Sequence, residues 1–155
     1  MYGSSTLYHA LTHKKIKEIF QIFDHSSIYL LIAGTYTPIT LVVMQNSPFG
    51  YAIATAEWTT AFFGIYMKVK YPNRFETLSL ILYVLMGWLI VIALEPLRES
   101  LVDNGFYLLV LGGLAYTLGV YYYINDSKPY YHAIWHLFVL AGSIFHYFMI
   151  LLYVI

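Results

Sequence analysis

Two histidines in the last apolar segment of the chain, His132 and His136, are four residues apart. On a helix, residues at positions i and i+4 share a face, separated by about 40° of rotation and about 6 Å of rise, so both imidazoles can turn toward one point. Near the start of the chain, Ser5 and His9 repeat this spacing, and His9 can complete a set of three imidazoles. Three neutral imidazoles with an open fourth position are the ligand set of a catalytic zinc site.

The same histidines also have a simpler interpretation. A His-x-x-x-His pair at a helix end arises by chance, and histidines near a membrane surface often only hydrogen-bond to headgroups or water. Asp24 bears on the choice, because ionisable groups inside a membrane bundle are costly and are functional by default, with a hydrogen-bonded structural pair as the alternative. In a metal site, Asp24 and Ser5 would hold the metal-bound water or orient a ligand.

The composition excludes several protein classes. Of the 155 residues, 60% are apolar or aromatic and only 10% are charged, whereas about 25% would be charged in a soluble globular domain. The net charge is zero, which gives no field to attract nucleic acid. The chain has no cysteine, so a metal must bind to histidine, carboxylate or hydroxyl oxygen.

The elements that must position these residues are predicted to be membrane-spanning helices. Neutral runs of about 20 residues can cross a hydrocarbon core of about 30 Å, and only helices satisfy the backbone of such a segment in lipid. Residues 1–11 are too short to span and are predicted to be the end of a truncated helix. We therefore predict an all-α, polytopic transmembrane bundle that forms a single domain over residues 1–155, with five full spans at 25–44, 49–67, 77–94, 105–123 and 131–155.

Basic residues predict the orientation of the bundle, because Lys and Arg are retained on the cytoplasmic side. Arg98 is the only basic residue in the connections of one side. The other seven lie in the connections of the opposite side: Lys14, Lys15, Lys17, Lys68, Lys70, Arg74 and Lys128. The short amino-terminal helix is thus expected to end in the cytoplasm and the carboxyl terminus to lie outside. Ser5, His9, Asp24 and the His132/His136 pair then share the depth of the cytoplasmic face.

Three motifs carry a resemblance to a known family. They are Ser5-Thr6-Leu7-Tyr8-His9, then Phe23-Asp24-His25 leading into Ile32-Ala33-Gly34-Thr35-Tyr36-Thr37-Pro38, and finally His132-Ala133-Ile134-Trp135-His136-Leu137-Phe138. In this order the chain resembles, over essentially its whole length, the bacterial hemolysin III family, related to the progestin and adipoQ receptors and the alkaline ceramidases. The resemblance implies seven helices in a bacterial plasma membrane. Our five spans would be helices three to seven, with the first helix and most of the second lacking.

The resemblance also implies a chemistry. A zinc ion would bind to His9, His132 and His136, with Asp24 and Ser5 near its water, and the reaction would be hydrolysis of a lipid amide or ester that enters from the membrane. Asp24 would act as general base. Two alternatives stay open: a receptor or sensor of the same fold with structural zinc, and a pore-forming hemolysin. The pore ranks last, because the spans carry too few charges for an ion path.

Three further polar residues lie in or beside the predicted spans. His25 follows Asp24 and points about 100° away from it on a helix, so we expect it to be an interfacial or supporting group. His146 lies about 15 Å deeper than His136 and is expected to form an interhelical hydrogen bond. Glu57, near the middle of its span, is expected to be protonated or paired.

Overall fold

The computed structural model describes all 155 residues, and every regular element in it is helical. The helices are α1 Tyr2–Ala10, α2 Lys14–Pro38, α3 Pro48–Lys70, α4 Glu76–Trp88, α5 Leu94–Ser100, α6 Asp103–Ile124 and α7 Tyr131–Tyr153. A π-helical turn, Ile39–Val43, continues α2, and a 3-10 segment, Leu89–Ala93, joins α4 to α5. The prediction of an all-α membrane bundle is confirmed.

Four helical segments are long and apolar enough to cross a membrane: Lys14–Val43, Glu76–Ser100, Asp103–Ile124 and Tyr131–Tyr153. They correspond to four of the five predicted spans, and differ from them at their ends. The other predicted span, 49–67, lies in α3, which has 23 residues. Its threonines and Glu57 make α3 less apolar than the other four segments, so its membrane crossing stays a prediction.

α2 begins at Lys14, eleven residues before the predicted start of its span. The segment from Lys14 to Asp24 contains no glycine or proline, so nothing in it interrupts helical hydrogen bonding. The charged residues of this segment are unfavourable in the hydrocarbon core of a membrane, but they do not prevent the segment from being helical. α2 therefore continues beyond the predicted span, on the side where His9 and His132 lie.

The other end of α2 changes geometry at a proline. Pro38 has no N–H group and cannot continue the hydrogen-bond ladder, and the next residues form the π-helical turn, in which Met44 N donates to Ile39 O at 3.0 Å. The start of α3 packs directly on this turn. A Cβ added to Gly50 would lie 2.4 Å from Thr40 O, so only glycine permits this contact.

The larger apolar core lies at the end of the bundle where α2 and α7 finish, away from the histidines. Its fully buried members include Ile39, Leu97 and Met149. A smaller core holds α2 against α3 and α4 around Tyr29 and Met86. The rigid packing of the bundle thus lies away from the end that carries the predicted site.

α6 and α7 form the most extensive helix pair. Gly112 of α6 lies against the ring of His146 of α7, whose Nε2 is 3.1 Å from the carbonyl oxygen of Leu109. The predicted interhelical hydrogen bond of His146 is therefore confirmed. Of the two expectations for Glu57, pairing is wrong, because both carboxyl oxygens are buried without a hydrogen-bond partner.

Candidate metal centre

Three histidines from the two ends of the chain converge at one end of the bundle. His9 lies in the last turn of α1, and His132 and His136 lie in the first two turns of α7. The Nε2 atoms of His9 and His132 are 3.2 Å apart, and those of His132 and His136 are also 3.2 Å apart. One ligand atom from each ring lies within 4.8 Å of those of the other two.

This spacing fits a tetrahedral metal ion. With Zn–N distances of about 2.0–2.1 Å, tetrahedral geometry requires ligand nitrogens about 3.3 Å apart. Two of the three nitrogen pairs already have this separation, and the third pair lies within 4.8 Å. His9 is exposed and the other two histidines are half-buried, so a fourth position can be reached from the cavity beside them.

Asp24 and Ser5 lie next to this cluster. Asp24 is half-buried and lines the same cavity as His9, and Ser5 lies one helical turn before His9 on α1. Ser5 is 5% exposed. The two helices are also joined beside it, because Ser4 Oγ donates to Ser27 Oγ at 3.2 Å. The structure thus brings His9, Asp24, His132 and His136 to one cavity, while Ser5 is buried nearby on α1.

The cavity that the three histidines and Asp24 border is polar and has a volume of about 380 Å³. Its walls come from α1, α2, α6, α7 and the connection before α4, and they carry three carboxyl groups, those of Asp24, Glu76 and Asp126. The floor includes Ile28 and Trp135, which also line a second, largely apolar cavity of about 90 Å³ among α2, α4, α6 and α7. A polar chamber and an apolar chamber therefore adjoin.

Sequence reasoning missed two groups at this site. Asp126 Oδ2 lies 3.9 Å from His132 Nδ1, on the side of the ring opposite the cluster, and a carboxylate at that position orients a metal-binding imidazole. Its place six residues before His132 in a turn was the available signal. The second is Glu76, whose Oε2 lies 3.5 Å from His25 Nδ1, and no spacing in the sequence connects these two residues.

Comparison with known proteins identifies relatives of the whole chain. It is 45% identical to Hemolysin-3 of Bacillus cereus over 155 residues, which is all of this chain and 70% of that protein. It is 48% identical to the Hemolysin-3 homolog of Bacillus subtilis strain 168 over 153 residues, 99% of this chain and 71% of that protein. The human monocyte to macrophage differentiation factor is 30% identical over 152 residues, 94% of this chain and 62% of that protein. No solved structure matches the chain.

The family comparison covers almost the same region. The model of the family described as "Haemolysin-III related" matches residues 1–147, which include all three histidines of the cluster. This match and the two Bacillus relatives agree with the helical membrane architecture. The chain is therefore an integral membrane protein that belongs to the haemolysin III family.

Proposed function

We propose that the protein is a zinc-dependent membrane hydrolase that cleaves an amide or ester of a lipid. The observation that carries the proposal is the convergence of three imidazole Nε2 atoms beside a cavity that also holds Asp24. His9, His132 and His136 would hold the ion. Zinc bound there would supply the Lewis acidity that activates water near neutral pH and polarises the scissile carbonyl.

The side chains around the cluster have separate tasks in this reaction. Asp24 accepts a proton from the attacking water as general base. Ser5, buried on α1 one helical turn before His9, would donate a hydrogen bond to the Asp24 carboxyl group and keep it in position. Asp126, whose Oδ2 lies 3.9 Å from His132 Nδ1, would attract the Nδ1–H group and favour the tautomer in which Nε2 binds the metal.

The adjoining chambers support a lipid as the substrate. The polar chamber accepts the amide or ester group, and the apolar chamber beyond Ile28 and Trp135 is lined mainly by hydrophobic side chains that suit a hydrocarbon segment. A substrate of this kind is amphiphilic and comes from the bilayer itself. The distribution of basic residues supports a cytoplasmic position for the metal centre, and the Bacillus relatives support a bacterial plasma membrane.

Metal content is the first test. The chain, purified in detergent, is compared by elemental mass spectrometry with a His132→Ala/His136→Ala double variant and with His13→Ala as the matched control. His13 is an exposed histidine at the start of α2, outside the cluster. We expect close to one zinc per chain in the original protein and in the control, and almost none in the double variant. A folded chain without metal would contradict the proposal.

Turnover is the second test, and it separates the hydrolase from a receptor or sensor with structural zinc. Long-chain lipid amides and esters are incubated with the zinc-loaded protein and with Asp24→Asn, which keeps the three histidines. Hydrolysis by the original protein that falls by about 10²–10⁴-fold in the variant supports a general base. Full zinc loading without turnover of any amide or ester would favour the receptor or sensor.

A further inference from the structure

A second polar cluster lies across the cavity from the three histidines. Lys68 Nζ, at the end of α3, lies 2.7 Å from Glu76 Oε2 at the start of α4. His25 Nδ1, on α2, lies 3.5 Å from the same oxygen. The Lys68 side chain is a buried cation, only 3% exposed, and it has no role in the reaction proposed above. Three helices therefore bring a cation, a carboxylate and an imidazole together.

Contacts with α4 hold the backbone of His25 and the Nδ1 edge of its ring. The Tyr83 hydroxyl of α4 donates to the His25 carbonyl oxygen at 2.8 Å, which ties the backbone of α2 to α4. Lys68 Nζ holds the Glu76 carboxylate in place, and the same oxygen, Oε2, faces Nδ1 of the imidazole. His25 and Glu76 both line the polar cavity. Since Nε2 lies on the opposite edge of the ring from Nδ1, it is the nitrogen left free for a ligand in the cavity.

Hydrolysis of an amide needs a proton donor as well as a proton acceptor, because an amine leaves readily only when its nitrogen is protonated. A carboxylate that faces one nitrogen of an imidazole holds the ring in one orientation and stabilises its protonated form, as in serine hydrolases. Glu76 stands in this relation to His25. Asp24, the neighbour of His25 on α2, has the opposite task of accepting a proton.

We propose that His25 is the general acid of this site, an inference that rests on the proposed hydrolysis. The oxygen of water joins the acyl carbon, and one of its protons passes to Asp24. The carbon–nitrogen bond breaks, and the nitrogen leaves with the proton from His25 Nε2. The proton on Asp24 then returns to His25 through water in the cavity, which restores both groups.

The test compares two substrates that share one acyl chain, a lipid amide and a p-nitrophenyl ester. An amine needs protonation to leave, whereas p-nitrophenolate does not. In His25→Gln we expect kcat for the amide to fall by about 10²–10⁴-fold and kcat for the ester to change by less than about threefold. Zinc content and Tm, measured on the same samples, should match those of the original protein.

Glu76→Gln is the second variant, and it provides the same comparison if His25→Gln does not fold. It keeps the imidazole and removes the charge that stabilises its protonated form, so the amide should again lose more rate than the ester. Equal losses on both substrates in the two variants would overturn the inference and leave His25 a structural residue. Full amide turnover in a folded His25→Gln would overturn it as well, without affecting the hydrolase proposal. Turnover of neither substrate by the zinc-loaded original protein would overturn both proposals.

Discussion

The contact between Gly112 and His146 allows a sharp prediction about the α6–α7 interface. An alanine Cβ at position 112 would lie 2.2 Å from His146 Cδ2 and 2.3 Å from its Nε2. The ring would have to move, and it would lose its contact with the Leu109 carbonyl oxygen at 3.1 Å. His146 Nδ1 is already buried without a partner, so both ring nitrogens would then be unpaired. Gly113, the next residue, has nothing within 4 Å of its Cβ position.

The expected change in the free energy of unfolding of Gly112→Ala is the sum of three contributions. Overpacking of a core costs about 1–3 kcal/mol, and loss of the buried hydrogen bond costs about 1 kcal/mol. Replacing a helical glycine by alanine returns about 1 kcal/mol. Gly112→Ala should therefore lower the free energy of unfolding by about 1–3 kcal/mol. Gly113→Ala, which keeps only the last contribution, should leave it unchanged or raise it by up to about 1 kcal/mol.

Thermal unfolding in detergent provides the assay. At about 2–4 °C per kcal/mol for a chain of this size, Gly112→Ala should lower Tm by several degrees relative to Gly113→Ala. In a His146→Ala background the clash is absent, so Gly112→Ala should no longer destabilise, which a double-mutant cycle measures. Equal Tm values for the two glycine variants, or an unchanged effect in the His146→Ala background, would refute the packing argument.

Three further predictions concern the interior and the metal centre. Tyr36→Phe should lower the free energy of unfolding by about 1 kcal/mol, because the Gly87 carbonyl oxygen loses its buried donor; an unchanged Tm would contradict this. Asp126→Asn should weaken zinc binding by about tenfold, because the negative charge beside His132 Nδ1 is lost. Competition with a zinc chelator measures the affinity, and an unchanged affinity would show that Asp126 does not support His132. The affinity for zinc should fall as the pH falls, since protonated imidazoles do not bind metal; an affinity that stays the same on acidification would argue against three histidine ligands.

The helical membrane architecture and the convergence of the three histidines with Asp24 could be predicted from the sequence for physical reasons, whereas Asp126 and Glu76 could not. Lipid permits few backbone structures, so apolar runs between charged turns predict helices with little ambiguity. The four-residue spacing of His132 and His136 fixed their common face, and the depth of their span brought Asp24 to the same level. These arguments depend only on helix geometry and on membrane thickness.

Other features depend on packing between distant segments and could not be read from spacing. The contact of Glu76 with His25 requires the end of α3, the start of α4 and the middle of α2 to meet. The early start of α2 was missed because hydropathy reports where a chain enters lipid, not where a helix begins. The sequence also could not show that Glu57 has no hydrogen-bond partner, because any of several helices could have supplied one.

The π-helical turn after Pro38 also has an evolutionary consequence. Such a turn contains one residue more than an α-helical turn, so it is equivalent to a single-residue insertion in the helix. Each inserted or deleted residue rotates everything beyond it by about 100°, while Asp24 and His25, on the earlier part of α2, keep their directions. A change of length at this turn would therefore alter the packing beyond Pro38, against α3 and the larger core, and would leave the residues that face the cavity in place.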